Sequence, residues 1–317
     1  MSEPEPIPHW PGQPIDLGDH RVYLRSVPDE GGEPALCVHG LAGSSRNWTD
    51  LMDLLRPGLA ADALDLPGFG DSPPRPDGRY SIAASAQTVA ALIECRYITN
   101  GRGPVHLIAN SLGGAVAVKV AATRPELVRT LTLISPALPD SRPRLDLIRF
   151  PVICLPRVGP RLLRKYEALP PPTRVADVIA TCYSDPARFP AARFAAEVAE
   201  LTRRDTLPYP TAALVGSIRT LTAEFFRTRA WRDAARITAP SLVIYGRHDR
   251  LVDPRMAGRA ARAFRDARIL VLPRTGHLAH MEHPAQVAAE IQALVGNSGS
   301  RPPVDRGAGW DAASPVR

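Results

Sequence analysis

Cysteine is scarce and unpatterned. Cys37, Cys95, Cys154 and Cys182 show no C-x-x-C spacing, so the chain carries no disulfide framework and no metal-binding knot, and buried free thiols are expected. No metal is expected. No uninterrupted apolar run approaches the ~20 residues that a membrane-crossing helix needs. The start, Met1-Ser2-Glu3-Pro4-Glu5-Pro6-Ile7-Pro8, lacks the basic stretch and apolar core of a secretory signal, and a cytoplasmic location is the expectation. Lysine is nearly missing: of 39 basic residues only Lys119 and Lys165 are lysines. Aromatic residues make up 6% of the chain. A nucleic-acid partner would require a basic stripe with stacking aromatics or a known module, and neither is present.

What is there can bury a full core. The 317 residues are 44% hydrophobic, which suits one large domain or a domain carrying an insertion. The formal charge of +7 is local, because residues 137–232 hold 16 basic and 9 acidic residues while the remainder is balanced.

Apolar patterning predicts strands at residues 21–27, 35–39, 62–66, 104–109, 128–134, 239–246 and 268–272. Gly31-Gly32 reads as a hairpin-type turn between the first two. Helical spacing covers residues 47–56, 81–99, 112–123, 254–264 and 284–295. Such alternation predicts an α/β fold, a mostly parallel sheet with helices on both faces and right-handed crossovers. Between 137 and 238 helical signals and many prolines occur without a buried strand. The expected organisation is an extended N-terminal segment (1–16), a core (17–136 and 233–296), an inserted helical cap (137–232) and a disordered tail (297–317).

Ser111 ends the apolar run Leu107-Ile108-Ala109-Asn110 and opens Leu112-Gly113-Gly114. A strand therefore delivers a serine to a sharp turn, and the helix behind it faces the hydroxyl with unsatisfied N–H groups. Taken alone, the string also fits an ordinary N-capping serine. A serine hydroxyl is a weak nucleophile, so catalysis needs a base, a group that orients the base, and donors for the oxyanion. Asp249, in Gly246-Arg247-His248-Asp249 after a strongly apolar strand, is the candidate acid; His277, in Thr275-Gly276-His277 after the last strand, is the candidate base. His280 and His283 are nearby rivals, ranked as supporting residues. The loop His39-Gly40-Leu41-Ala42-Gly43-Ser44 follows the first buried strand, and the Leu41 and Leu112 N–H groups are the candidate oxyanion donors, each typically worth about 100- to 1000-fold in rate. His39, Gly40, Asn110 and Gly113 support these groups. The chain order Ser, Asp, His differs from the orders of chymotrypsin and subtilisin.

His39-Gly40, the stretch Asp65-Leu66-Pro67-Gly68-Phe69-Gly70-Asp71-Ser72, Ala109 to Gly114, Gly246 to Asp249, and Gly276-His277 through Glu282-His283-Pro284 together resemble the α/β-hydrolase superfamily with an inserted cap. The resemblance spans residues 20–296. It implies a hydrolase that needs no cofactor, with Ser111, Asp249 and His277 as its triad. Alanine stands at 109 where the family carries its first elbow glycine. Soluble epoxide hydrolases and haloalkane dehalogenases of this fold use an aspartate nucleophile, so Ser111 argues against both. A carboxylic ester hydrolase is the leading reading. The elbow also resembles that of meta-cleavage-product hydrolases, which cut carbon–carbon bonds; those enzymes often carry a tryptophan after the catalytic histidine, and here the residue is Leu278. A non-catalytic ligand-binding protein of the same fold is the alternative from another class.

Residues 145–166 mix Ile148, Phe150, Val152, Ile153, Leu155, Leu162 and Leu163 with Arg149, Arg157, Arg161, Arg164 and Lys165, and Pro151, Pro156 and Pro160 prevent one continuous helix. This composition fits a cap that admits a small-molecule acyl substrate, lipophilic or anionic, or one that touches a membrane surface as a peripheral contact. The plainer reading is a cap with solvated arginines.

Overall fold

The computed structural model describes residues 6–140, 149–225 and 229–298. Eight strands form one sheet: β1 (Gly12–Asp16), β2 (Arg21–Ser26), β3 (Glu33–Val38), β4 (Leu59–Asp65), β5 (Val105–Asn110), β6 (Val128–Ile134), β7 (Ser241–Gly246) and β8 (Ala267–Leu272). Their spatial order is β1-β2-β4-β3-β5-β6-β7-β8. The β1–β2 and β2–β4 pairs are antiparallel and every other pair is parallel. This is the α/β architecture that the alternation predicts.

One local expectation is corrected. Gly31-Gly32 does not close a hairpin, because β4 lies between β2 and β3, pairing Leu64 with Leu24 on one side and with Val38 on the other. The reason is burial. Pro34 to Val38 are all buried, and such a run needs a neighbour strand on both sides, which parallel β4 and β5 supply. At the N-terminus, Gly12–Asp16 extend the sheet by one edge strand. Pro14 is tolerated there because an edge strand leaves one row of N–H positions unpaired.

The parallel strands show period-two alternation between two apolar layers. Leu36, Val38, Leu107, Ala109, Val243 and Tyr245 face one layer, with α2 (Ile82–Ile93) and α3 (Ser111–Thr123). Ala35, Cys37, Ile108, Leu242 and Ile244 face the other, with α1 (Thr49–Leu55) and the C-terminal helix. Because β3 through β8 run parallel, the ends of β3, β5, β7 and β8 open onto the same edge of the sheet, where ligands collect in open α/β sheets.

Between β6 and β7 the chain forms α4 (Arg149–Ile153), α5 (Val158–Glu167), α6 (Pro171–Cys182), α7 (Ala191–Arg204), α8 (Pro210–Phe225) and α9 (Arg229–Ala234). Trp231 and Ala234 of α9 join the core layer under α3, and Lys119 of α3 meets Asp233 at 3.1 Å. The helix that straddles the expected boundary at 232 therefore packs with the core. After β7 come α10 (Met256–Ala263), α11 (Ala279–Glu282) and α12 (Pro284–Ser298). The tail is expected to start at 297, but Asn297 and Ser298 close α12; its remainder from 299 onward, and residues 141–148 of the insert, lie outside the described residues. Among the described residues no helix is long and apolar enough to cross a membrane.

Candidate active site

Ser111 is the first residue of α3 and holds φ +52°. A left-handed serine is uncommon, and strain of this kind concentrates where a side chain must be presented in a fixed direction. The turn stays tight because Gly113 has no side chain: a Cβ there would lie 2.4 Å from the Val38 carbonyl oxygen and 2.5 Å from that of His39. Ala109 is fully buried in β5 and pairs with Val38 and Leu133, so alanine fits where the family pattern has glycine.

Asn110 links the turn to its surroundings. Its Nδ2 donates to the Ile134 carbonyl at 3.0 Å and to the His277 carbonyl at 3.2 Å, so one side chain bridges the ends of β5 and β6 and the loop after β8. The structure thus brings the Ser111 turn and the His277 loop together.

His277 and Asp249 are both buried, and His277 Nδ1 lies 2.9 Å from Asp249 Oδ2. Asp249 Oδ1 accepts from the Leu251 and Val252 N–H groups at 2.7 and 2.9 Å. Burial is the largest single influence and favours the neutral acid, yet the charge and hydrogen bond of His277 and the backbone donor of Val252 outweigh it and lower the Asp249 pKa. An ionised carboxylate only accepts, so Nδ1 carries a proton, and in the neutral imidazole the lone pair is then on Nε2.

His39 joins the donor loop to the core as a neutral bridge. Its Nδ1–H donates to the Gly40 carbonyl at 2.7 Å, and its Nε2 accepts from the Leu66 N–H at 3.0 Å. Burial lowers its pKa to about 4. A Cβ on Gly40 would lie 2.8 Å from Asn110 Oδ1 and 3.0 Å from Ser111 Cβ, which places the loop directly against the serine. Gly43 N–H closes the loop on the Gly40 carbonyl at 3.1 Å. Among the described residues neither the Leu41 nor the Leu112 N–H has a hydrogen-bond acceptor.

The rival histidines take other places. His280 is buried and stacked on Trp48 with ring centroids 4.2 Å apart; burial, then the charge of His277, lowers its pKa to about 3. His283 Nε2 lies 3.1 Å from the Arg274 carbonyl oxygen. Asp65 in the glycine-rich stretch is a scaffold residue, accepting from the Ser45 N–H at 2.5 Å and the Asp71 N–H at 2.8 Å.

Glu282 is the residue whose role the sequence reading missed. Its carboxylate accepts from the Gly276 N–H at 2.7 Å, from the Ser184 N–H at 3.1 and 3.2 Å, and from the Asp185 N–H at 3.4 Å. The His277 N–H in turn donates to the Cys182 carbonyl at 2.6 Å. One buried carboxylate therefore fastens the end of α6 to the loop that carries His277. In the Glu282→Gln variant one oxygen becomes an amide nitrogen facing backbone donors. Charge-assisted bonds of this kind contribute ~1.5–3 kcal/mol, so urea denaturation should register a loss in that range, and kcat should fall with it. Unchanged unfolding would remove the latch role.

A strained serine between strand and helix, in a sheet of this order, defines the α/β-hydrolase class of fold. A family model described as the alpha/beta hydrolase family matches residues 35–290, and the chain belongs to that family. It is 26% identical, over 89% of its length and 69% of the relative's, to the dihydrolipoyllysine-residue acetyltransferase component of the acetoin cleaving system of Pseudomonas putida. It is 26% identical to the pimeloyl-[acyl-carrier protein] methyl ester esterase of Neisseria meningitidis, over 84% of this chain and 93% of that one. Lipase LipV of Mycobacterium tuberculosis matches at 37% identity over 37% of this chain and 42% of its own length, so that relative is spanned only in part. Among solved structures, the 2-hydroxy-6-oxo-6-phenylhexa-2,4-dienoate hydrolase of a Rhodococcus strain superposes with a TM-score of 0.73 at 20% identity, covering 90% of this chain and 98% of that one.

Proposed function

We propose that this α/β hydrolase cleaves a carboxylic ester through an acyl-enzyme. The observation that carries the reading is the 2.9 Å His277–Asp249 bond, held at the same sheet edge as a serine with φ +52°. Ser111 attacks the carbonyl carbon while His277 Nε2 takes its proton. The Leu41 and Leu112 N–H groups hold the oxyanion, His277 returns the proton to the leaving alcohol, and water repeats the sequence to release the acid. Asp249 keeps His277 in the required tautomer and stabilises the imidazolium. The alignment with the Neisseria esterase over most of both chains supports ester chemistry.

In this reading residues 137–232 act as a cap on a core of 17–136 and 233–296, and the cap selects the acyl group. An apolar cavity of about 280 Å³ lies between α6 and α7, lined by Ala176, Ile179, Pro186, Phe189, Ala191 and Phe194. Ile179, Phe189 and Phe194 belong to the same apolar cluster as Leu278, the neighbour of His277. Arg204 of α7 donates to the Ala42 carbonyl at 3.2 Å, which fastens the insert to the donor loop. These contacts favour a lipophilic acyl group.

A panel of p-nitrophenyl esters from acetate to dodecanoate tests the assignment. Turnover that peaks at a medium or long acyl chain is the expected result. Turnover of a chromogenic ring-fission diketone acid without turnover of any ester would replace it with carbon–carbon bond hydrolysis.

A further inference from the structure

The outer face of the insert carries a surface that the hydrolytic site does not use. Val158, Leu162 and Tyr166 recur at i, i+4 and i+8 along α5, so they share one side of the helix. Leu155 precedes the row and Leu169 follows it. With Val178 of α6 these side chains are 36–52% exposed, and they are six of the eight large apolar residues so exposed among the described residues. Within α5 only Gly159 and Leu163 are buried. Scattered exposed leucines are ordinary, but a contiguous row on one helix marks a contact surface.

Four cations lie beside the row against two exposed carboxylates, Glu167 of α5 and Asp177 of α6, the latter accepting from the Tyr166 hydroxyl at 3.2 Å. Arg157, Arg161, Arg164 and Lys165 are all exposed, and none forms an ion pair among the described residues. Other arginines of the insert are paired, Arg174 with Asp205, Arg193 with Asp50 and Arg203 with Asp71. The sole carboxylate between 155 and 169, Glu167, accepts from the Thr211 hydroxyl at 2.6 Å. A two-fold contact with a second copy would set this cationic patch against itself, which like-charge repulsion disfavours.

We propose that α5 is a docking helix for an anionic lipid surface, with the Val158–Leu162–Tyr166 row entering the acyl boundary and the four cations meeting the headgroups. Docking of this kind does not depend on the hydrolytic assignment. Co-sedimentation of the full chain tests it, using vesicles of phosphatidylcholine alone and of phosphatidylcholine mixed with phosphatidylglycerol. Binding should require the anionic lipid and weaken as salt is added. Each basic side chain removed should weaken it roughly fivefold. The Arg161→Glu/Arg164→Glu/Lys165→Glu variant should therefore lose about 100-fold or more, and Leu155→Asp/Leu162→Asp should also bind less. Both variants alter exposed positions and should keep wild-type circular dichroism and unfolding midpoints; a variant that does not is replaced by its alanine counterpart. Absence of binding to the anionic vesicles, or binding that correctly folded variants retain in full, would overturn the proposal. So would a dimer in light scattering that Leu155→Asp/Leu162→Asp dissociates, since that result assigns the face to a second copy.

Discussion

Replacing Ser111 with alanine is expected to lower kcat on the best ester by about 10⁴- to 10⁶-fold while leaving the unfolding midpoint close to wild type. In the proposed reaction the effect is large because the hydroxyl forms and breaks the acyl bond, and no other step substitutes for it. The fold should tolerate the change, since it removes a single oxygen at the mouth of the turn. A residual rate about 10³- to 10⁴-fold above water is also expected, because oxyanion donors and binding contacts act without the nucleophile. In the proposed reaction those donors are the Leu41 and Leu112 backbone groups, which the substitution does not touch. Steady-state kinetics on the purified variant measure the loss; a reduction of only a few-fold would exclude Ser111 as the nucleophile.

The second large effect is expected from Asp249→Asn, a nearly isosteric change. Asp249 Oδ1 accepts two backbone N–H groups, from Leu251 and Val252. An asparagine carbonyl oxygen must remain in that position to satisfy them. Its NH₂ group then occupies the place of Oδ2, 2.9 Å from His277 Nδ1. Two donors cannot face each other, so the proton of a neutral His277 moves to Nε2 and the base is lost. The corresponding change in a serine protease triad lowers kcat by about 10⁴, and a loss of that order is expected here. The pH dependence adds a sign. In the wild type the burial that favours a neutral Asp249 is outweighed by His277 and a backbone donor, and its pKa is lowered. The carboxylate therefore stays ionised above its ordinary pKa of about 3.9, and the stability it contributes is lost only as pH falls below that value. The asparagine substitution removes this acid-side loss. Urea denaturation between about pH 4 and pH 2 should show a shallower decline for the variant than for the wild type.

Much of this site is legible in the sequence because its chemistry follows strand ends. Ser111, Asp249 and His277 each sit a few residues beyond an apolar run, and a parallel sheet brings such ends to one edge. Gly113 and Gly40 are legible for the same reason, since each stands where two backbones meet. What the sequence hides is pairing between distant segments. Nothing in Pro34 to Val38 says that β4 will separate it from β2, because order in a sheet depends on burial of the whole layer. Glu282 reads only as part of the Glu282-His283-Pro284 stretch, with no role of its own, and its partners lie at Gly276, Ser184 and Asp185. The last two of these contacts require the insert to fold back, and spacing carries no signal for that. The signal available was the Glu282-His283-Pro284 stretch at the start of the last helix. Charge counting hides a comparable division. The basic excess of residues 137–232 reads as one patch, but the fold separates arginines held by carboxylates, such as Arg174 and Arg203, from the four cations on and beside α5 that form no ion pair among the described residues.

The proposed reaction depends on Ser111 as a nucleophile activated by His277. Incubating the folded protein with a fluorophosphonate and mapping the adduct by peptide mass spectrometry tests that claim most directly. One adduct on Ser111 is expected, formed rapidly in the wild type, slowly in Asp249→Asn, and absent in Ser111→Ala. An unlabelled wild-type protein, or an adduct on any other residue, would contradict it.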